Sequence, residues 1–445
     1  MKRFGLVESA ICLLVVTAAL GEHFLPLKAG GVEVFGFRLL VPLVLSLLVV
    51  SGKGVLLNFG ALSRWYFHLG VFWITWGLFA LIWSSLIWGS SVPSGLIELS
   101  AVGLGFLTAV ALLNLAFQTR YALNALRAGW VWAFVITLAI AAWEFSAGKH
   151  LPGYPEDLDV ETVWFRVFST FGNPNNYAAF LCLCFPFLVW SFRAATGARK
   201  TFYLLLSLAA PVALLCTMGR LALFGIVFEC IVLLMLTVPR IWSTAVAATL
   251  VAGLATMVIA PGYSGNELKF FTLYDEFAGG GSATMRLNLL RDGMVFLERS
   301  NGAGVGPANF PHMMRIGQGP YPAEWIVYPH NFWMEVASQY GLPVFLLLMG
   351  WLIFATSRSW KVRAGAIARG DDNARYAAEA MLLGLVGYVF AAGENSSYIP
   401  QQTNWMFLAS VLTVVCLISG DRPDFLRVRQ RTIPPLRTLR TTSTD

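Results

Sequence analysis

The sequence has few charged residues, and its cysteines and histidines show no metal-binding pattern. Asp, Glu, Lys and Arg make up 12% of the 445 residues, whereas soluble domains carry roughly 25%. The six cysteines all lie in apolar stretches, without a CxxC pair or a Cys/His ligand spacing. Disulfide frameworks and zinc sites are therefore not expected. There are only five histidines, so a histidine in an unusual setting is a candidate for chemistry.

Apolar residues dominate instead. Hydrophobic residues make up 57% of the chain, with 33 Phe and 16 Trp, and the mean hydropathy is +0.67. These features predict an all-α, polytopic membrane protein with aromatic residues at both interfaces. Twelve segments are long enough to cross ~30 Å of hydrocarbon. They lie near 5–20, 33–50, 66–88, 95–117, 128–145, 174–192, 201–217, 221–238, 242–260, 334–357, 376–392 and 404–420.

The basic residues predict the orientation of these spans. If the N-terminus is cytoplasmic and the spans alternate, about two thirds of the 31 Lys and Arg residues fall on the inside, as the positive-inside rule requires. We therefore expect both termini in the cytoplasm and an uncleaved first helix. The net charge of +7 follows this placement in loops and tail, and it does not predict nucleic-acid binding.

The predicted spans divide the chain into four parts. Residues 1–260 hold spans one to nine, 261–333 form a large outer loop, and 334–420 hold the last three spans. The basic tail 421–445 is expected to be disordered and to lie near anionic lipid.

Loops as long as 261–333 are usually functional or folded. Within this loop, 282–298 has a helical apolar rhythm, with Ser282 as its cap. A second outer loop, about 146–173, has acids that could hold a divalent cation but are more simply solvated: Glu156, Asp157, Asp159 and Glu161.

Several arginines lie on the predicted outer face. Arg220 interrupts a nearly continuous apolar stretch, where an arginine costs about 2.5–3.5 kcal/mol at the centre of a span. It either reaches lipid phosphate or binds the phosphate of a bilayer-anchored substrate. Arg286 and Arg166 could join it, since the planar guanidinium suits a diphosphate. In "GNPNN", Asn173 is the expected N-cap of span six and adds free backbone amides.

His330 and Asn331 stand where a polar segment re-enters an apolar run, directly after Pro329. The proline disfavours helix before it, and a helix is predicted to follow, with Gly341 as its stop. His330 would then lie at a helix entrance on the outer face, able to accept a proton near neutral pH. The alternative is that His330 has a structural role. His312 is a second candidate for the reactive histidine. Glu335, one turn after Asn331, is expected to orient or cap this region.

These residues resemble the O-antigen ligase family, together with the related O-antigen polymerases and protein O-oligosaccharyltransferases. The family's pattern of His, then Asn, Ser or Gln, nine residues and Gly is met by His330, Asn331 and Gly341. Its continuation asks for Gly, Thr or Tyr where this chain has Val344. The Arg-x-x-x-Leu pattern of the long loop is met by Arg286 and Leu290.

The resemblance implies a GT-C-like fold with short helices in the large loop, in the bacterial inner membrane. It implies a metal-independent, inverting glycosyltransferase without a cofactor, working on the periplasmic face. The donor would be a glycan on undecaprenyl diphosphate, and the acceptor lipid A-core oligosaccharide or another glycan. Arg220 and Arg286 would bind the diphosphate with support from Arg166 and Asn173, and His330 would act on the acceptor hydroxyl.

Two alternatives stay open. Arg291, followed by ten residues and Gly302, resembles a polymerase pattern, which would make the protein an O-antigen or exopolysaccharide polymerase. A twelve-helix transporter is a different class with a similar layout, although transporters often show related halves and none are visible here.

Overall fold

Long apolar helices form most of the computed structural model. It describes residues 5–21, 27–29, 32–52, 55–57, 59–152, 166–239, 245, 248, 282–323, 326–395 and 397–420. In chain order, the helices are α1 (Leu6–Leu20), α2 (Gly36–Val50), α3 (Ala61–Trp88), α4 (Val92–Ala116), α5 (Ala122–Ala147), α6 (Pro174–Ala194), α7 (Ala198–Leu215), α8 (Arg220–Thr237), α9 (Ser282–Arg299), α10 (Asn309–Arg315), α11 (Phe332–Ala368), α12 (Asp372–Glu394) and α13 (Gln402–Ser419). Two short strands, β1 (Leu27–Ala29) and β2 (Val32–Val34), pair antiparallel between α1 and α2.

Nine of these helices are long and apolar enough to cross a membrane, within the described part of the chain. They correspond to nine of the predicted spans. The first two predicted spans, near 5–20 and 33–50, are helices of 15 residues each and fall short of that length. The remaining predicted span, the ninth in the chain at 242–260, lies outside the described residues apart from isolated helical positions. The protein is therefore a multi-pass membrane protein, while the full count of twelve stays a prediction.

Other predictions fall partly outside the described residues. The acids at 156–161 and the tail 421–445 are not described, and neither is the first part of the large loop, 261–281. The predicted helix at 282–298 is confirmed as α9, which runs to Arg299. The division of the chain at 260, 333 and 420 stays a prediction.

The centre of the bundle is built by helices that are apolar on every side. Within their most apolar stretches, α6 is 83% buried and α12 and α13 are 78% buried, whereas α7 is only 22% buried. A helix that is apolar all round belongs in the interior. Small residues allow close approach, as where Gly105 of α4 meets the ring of Trp405 in α13.

One end of the bundle is fixed by a charged cluster. Glu379, in the first half of α12, pairs with Arg193 of α6, Arg363 of α11 and Arg375 of its own helix. The Nε–Oε1 distances are 2.8 Å from Arg363 and 3.1 Å from Arg375. Glu379 is 1% exposed, and three cations compensate for burying its charge. The far end of α12, at Glu394, lies about 22 Å away by the rise of a helix.

A break in α11 holds the large loop in place. Gly341 has φ 78° and ψ 176° in the middle of this helix, a conformation essentially restricted to glycine. The loop before α10 supplies backbone partners at the break: the amides of Val305 and Gly306 bond to the carbonyls of Ser338 and Gln339, at 2.8 and 2.9 Å. Backbone groups within a membrane need such internal partners. The predicted helix stop at Gly341 is thus an interruption, after which α11 continues.

We predict that Gly341→Ala destabilises the protein by at least ~2 kcal/mol, from the glycine-only backbone conformation alone. A Cβ at this position would also lie 2.5 Å from the carbonyl oxygen of Ala303. Thermal unfolding of the full-length protein in detergent measures the effect. Gly103→Ala is the matched control, because its Cβ would meet only Ile74 at 3.7 Å. Equal melting temperatures for the two variants would contradict the packing described here.

Candidate functional site

The carboxylate of Glu394, the last residue of α12, lies at the start of α8. Its Oε2 accepts hydrogen bonds from the backbone amides of Leu221 at 2.7 Å and Ala222 at 3.3 Å. An acidic group at a helix N-terminus satisfies free amides and interacts favourably with the helix dipole. Arg220, the first residue of α8, is half-buried and is held at the same point.

Arg286 reaches this carboxylate from the large loop. Its guanidinium lies 3.6 Å from Oε1 of Glu394. The Arg286 side chain is 30% exposed and Glu394 only 2%, so one face of the guanidinium remains accessible. The structure thus brings Arg220 and Arg286 to one place, although they are far apart in sequence and belong to different parts of the fold.

His330 lies beside this pair in a strained conformation. Its φ is +48°, which costs a non-glycine residue roughly 1–3 kcal/mol. Burial lowers the pKa of His330 to about 4, and the positive charge of Arg286 contributes in the same direction. The imidazole is therefore neutral at pH 7 and able to accept a proton. Its Nδ1 is buried without a hydrogen-bond partner among the described residues.

Asn331 and Glu335 fix the helix that follows the histidine. The side chain of Asn331 caps α11 by accepting a bond from the amide of Met334 at 3.0 Å, and its amide group lies against Gly393. Glu335 accepts the hydroxyl of Ser397 and the amide of Tyr398, the latter at 2.8 Å. It thus holds the segment after Glu394, which is a positioning role.

Arg166 and Asn173 lie at the same end of the bundle. Val167, next to Arg166, donates its amide to the carbonyl of Cys216 at 3.2 Å, in the turn before Arg220. Asn173 caps α6 through a 2.8 Å bond from the amide of Asn175, as predicted. The start of α6 is close to α8, since a Cβ on Gly219 would meet Ala178 at 2.4 Å. Both residues are therefore neighbours of the Arg220 turn.

Arg291 and His312 have contacts elsewhere in the large loop. Arg291 bonds to Asn288 at 3.4 Å and lies over the ring of Tyr321. The His312 ring bonds through Nε2 to the carbonyl of Trp88 at 2.9 Å. These contacts give both residues a packing function, and His312 is the weaker of the two candidate histidines.

Sequence reasoning missed Glu394, the residue that joins the site. An acidic group near Arg220 is expected on physical grounds, but Glu394, whose carboxylate accepts the two amides that follow Arg220, lies 174 positions away along the chain. The available signal was an acid at the end of an otherwise apolar span, in "AAGENSS". An ionisable residue in such a place marks a functional site by default.

This arrangement can bind an anion and accept a proton. Arg286 pairs with Glu394, and Arg220 is the residue directly before the amides that the same carboxylate accepts, so two arginines and one carboxylate belong to this region next to a neutral imidazole. Arginine pairs are well suited to phosphate oxygens. Among the described residues, no three His, Cys, Asp or Glu side chains are grouped to hold a metal ion.

Comparison with known proteins agrees with the resemblance seen in the sequence. The model of the O-antigen ligase family matches residues 202–349, about a third of the chain. This range contains Arg220, Arg286 and His330, and it ends before Glu394. No curated protein matches the chain.

We predict that the imidazole of His330 titrates near pH 4 and that Arg286→Gln raises its pKa, because a positive charge that disfavours protonation is removed. Histidine-selective NMR of the full-length protein in nanodiscs measures both values, with the His330→Ala spectrum assigning the signal. Arg299→Gln, on the same helix but bonded to Gln318, should leave the titration unchanged. A wild-type pKa at or above 6.5 would refute the described burial of the ring.

Proposed function

We propose that this chain, whose residues 202–349 match the model of the O-antigen ligase family, acts as a member of that family and transfers a glycan from undecaprenyl diphosphate to an acceptor hydroxyl. The most suitable acceptor is lipid A-core oligosaccharide, and the transfer inverts the anomeric centre. The observation that supports this proposal is the position of Arg286, which pairs with Glu394 at the start of α8, next to Arg220, and whose positive charge acts on His330. The site is proposed to face the periplasm, in the inner membrane, in keeping with the distribution of basic residues along the chain.

The arginines would act on the leaving group. When the bond between the anomeric carbon and the phosphate oxygen breaks, its electron pair stays on the diphosphate, which gains negative charge. Fixed donors directed at such charge stabilise the transition state most. The ion pair with Glu394 orients Arg286 before the substrate binds, at 3.6 Å. Arg220 would contribute from the start of α8, with Arg166 and Asn173 in support.

His330 would act on the incoming hydroxyl. The acceptor oxygen forms the new bond to the anomeric carbon, and its proton passes to the imidazole. A base must be unprotonated before this step, which the lowered pKa of His330 ensures at neutral pH. The same lowering makes the ring a weak base in the free protein. Binding of the anionic diphosphate beside it would raise this pKa and strengthen the base.

A polymerase that joins repeat units would use the same chemistry on a different acceptor. The polymerase-like pattern of Arg291 and Gly302 gains no support from the structure. The carbonyl of Gly302 accepts a hydrogen bond from the amide of Leu342 at the break in α11, at 2.9 Å, and Arg291 lies over Tyr321. Packing accounts for both residues, so we keep the ligase as the proposal.

We predict that Arg286→Lys loses at least ~100-fold in transfer while the wild-type protein forms product with EDTA present. Lysine keeps the charge but not the planar pair of donors that a diphosphate and Glu394 both engage. The assay uses full-length protein and purified lipid-linked glycan, with the product detected by gel shift. Arg299→Lys is the matched control on the same helix. Near-normal turnover by Arg286→Lys would rule out a diphosphate clamp, and loss of wild-type product in EDTA would rule out metal independence.

We predict that His330→Ala stops transfer, with at least a ~100-fold loss, but still binds undecaprenyl diphosphate. Binding is measured separately with fluorescent undecaprenyl diphosphate in nanodiscs. In wild type, the acid limb of kcat/KM should lie well below pH 6.5, since activity is lost only as the pH falls through the pKa of the free imidazole. If His330→Ala abolished binding of the lipid, His330 would be a ligand of the diphosphate and not the base.

A further inference from the structure

A cavity of about 350 Å³ opens next to the histidine. It lies between α4, α10 and the first turns of α11. Its wall includes Pro329, the residue directly before His330, and Glu335, one turn into α11. None of the roles proposed above uses this space. A cavity of this size suits a monosaccharide, at the small end of ligand pockets.

Glu98 gives this cavity a polar wall. It lies on α4, an otherwise apolar helix, where a carboxylate needs a strong reason to be present. Its Oε1 accepts three hydrogen bonds, from the hydroxyl of Tyr340 at 2.7 Å, the amide of Ala308 at 3.0 Å and the side chain of Gln339 at 3.2 Å. Within the described part of the chain, its Oε2 has only the 3.5 Å contact with Gln339. One oxygen is thus anchored, and the other keeps its capacity to accept hydrogen bonds from a ligand.

Two arginines add positive charge to the same cavity. Arg315, the last residue of α10, is exposed, and Arg38 of α2 lies over the ring of Phe35 at 4.6 Å. Arg315 makes no ion pair or hydrogen bond with any described side chain. The cavity therefore combines a carboxylate that can accept hydrogen bonds from hydroxyl groups with guanidinium groups that can bind an anion. A neutral sugar would have no charged group to pair with these arginines.

We propose that this cavity binds the acceptor sugar, and that it selects a monosaccharide unit that carries a carboxylate or phosphate group. Glu98 and Gln339 would bind ring hydroxyls, and Arg315 and Arg38 would bind the anionic substituent. The position beside Pro329 would deliver a neighbouring hydroxyl to His330. This inference rests on the proposed function and adds to it the chemical class of the acceptor.

The arrangement predicts how the ligand is discriminated. A site whose buried polar groups are completed by a ligand rejects analogues that leave them unpaired. A hydrogen bond to a charged group is worth enough to change affinity by roughly tenfold or more. Loss of the anionic substituent should therefore weaken binding, and removal of Arg315 should abolish that difference.

The test measures sugar binding without the donor. Saturation-transfer NMR of the full-length protein in nanodiscs compares glucose, glucose 6-phosphate and glucuronate as probes. We expect at least one anionic probe to bind ~5-fold or more tightly than glucose, and Arg315→Gln to bring this ratio close to one. Glu98→Gln should weaken all three probes by about tenfold. Arg299→Gln, an equal charge change on the same loop outside the cavity, should change nothing.

Equal affinity of wild type for all three probes, or a ratio insensitive to Arg315→Gln, would overturn the proposal. Thermal unfolding of each variant checks that the fold is intact. Because Arg315 is exposed, Arg315→Gln is the variant that should disturb the fold least.

In the transfer assay, Glu98→Gln should raise the KM for the acceptor at least ~5-fold and leave undecaprenyl diphosphate binding unchanged. Weaker binding of undecaprenyl diphosphate by Glu98→Gln, seen as a raised Kd, would also overturn the proposal. Failure of the proposed function would appear separately, as a wild-type protein that transfers no glycan or binds no lipid diphosphate.

Discussion

The contact between Glu394 and the start of α8 is the interaction on which the site depends. A single buried carboxylate accepts two backbone amides and pairs with Arg286. An isolated carboxylate would be costly to bury, and an isolated arginine at this depth likewise. The charge of each group offsets the free-energy cost of burying the other, and the two amides of α8 supply further hydrogen bonds to the carboxylate. As a result, α8, α12 and the large loop meet at one point, where the proposed anion site is located.

The break at Gly341 attaches the large loop firmly to the membrane helix α11. Interruption of α11 frees backbone groups, and the loop at 302–306 supplies their partners. The same loop leads into α10 and one wall of the cavity. The side of the site that holds Arg286 and the side that holds Glu98 therefore rest on one rigid connection. Glycine is required on both the loop side and the helix side of this contact. A Cβ on Gly304 would lie 2.5 Å from the carbonyl oxygen of Gln339, and a Cβ on Gly341 would lie 2.5 Å from that of Ala303.

Most of the helices could be predicted from the sequence, because hydrophobic length is a local property. The cap at Asn173 and the helix at 282–298 also follow from local patterns, and the structure has both. At Gly341 the local pattern predicts a helix stop, whereas the structure has an interruption after which the helix continues. The pair of strands between α1 and α2 and the ion pair of Arg286 with Glu394 could not be predicted in this way. Strand pairing and ion pairs between distant helices depend on tertiary packing, which a single sequence does not display. Glu98 was missed for the same reason, since its importance lies in contacts with residues more than 200 positions away.

The connection at Gly341 also limits how this protein can be recombined. Segment 302–306 and the first turns of α11 share their backbone partners, so neither can be exchanged alone without leaving amides and carbonyls of the other unpaired. A chimera that takes a foreign large loop would have to import the helix entrance with it, including His330. Exchange of the large loop should then carry the surroundings of Arg286 and the wall of the cavity with it, as one block.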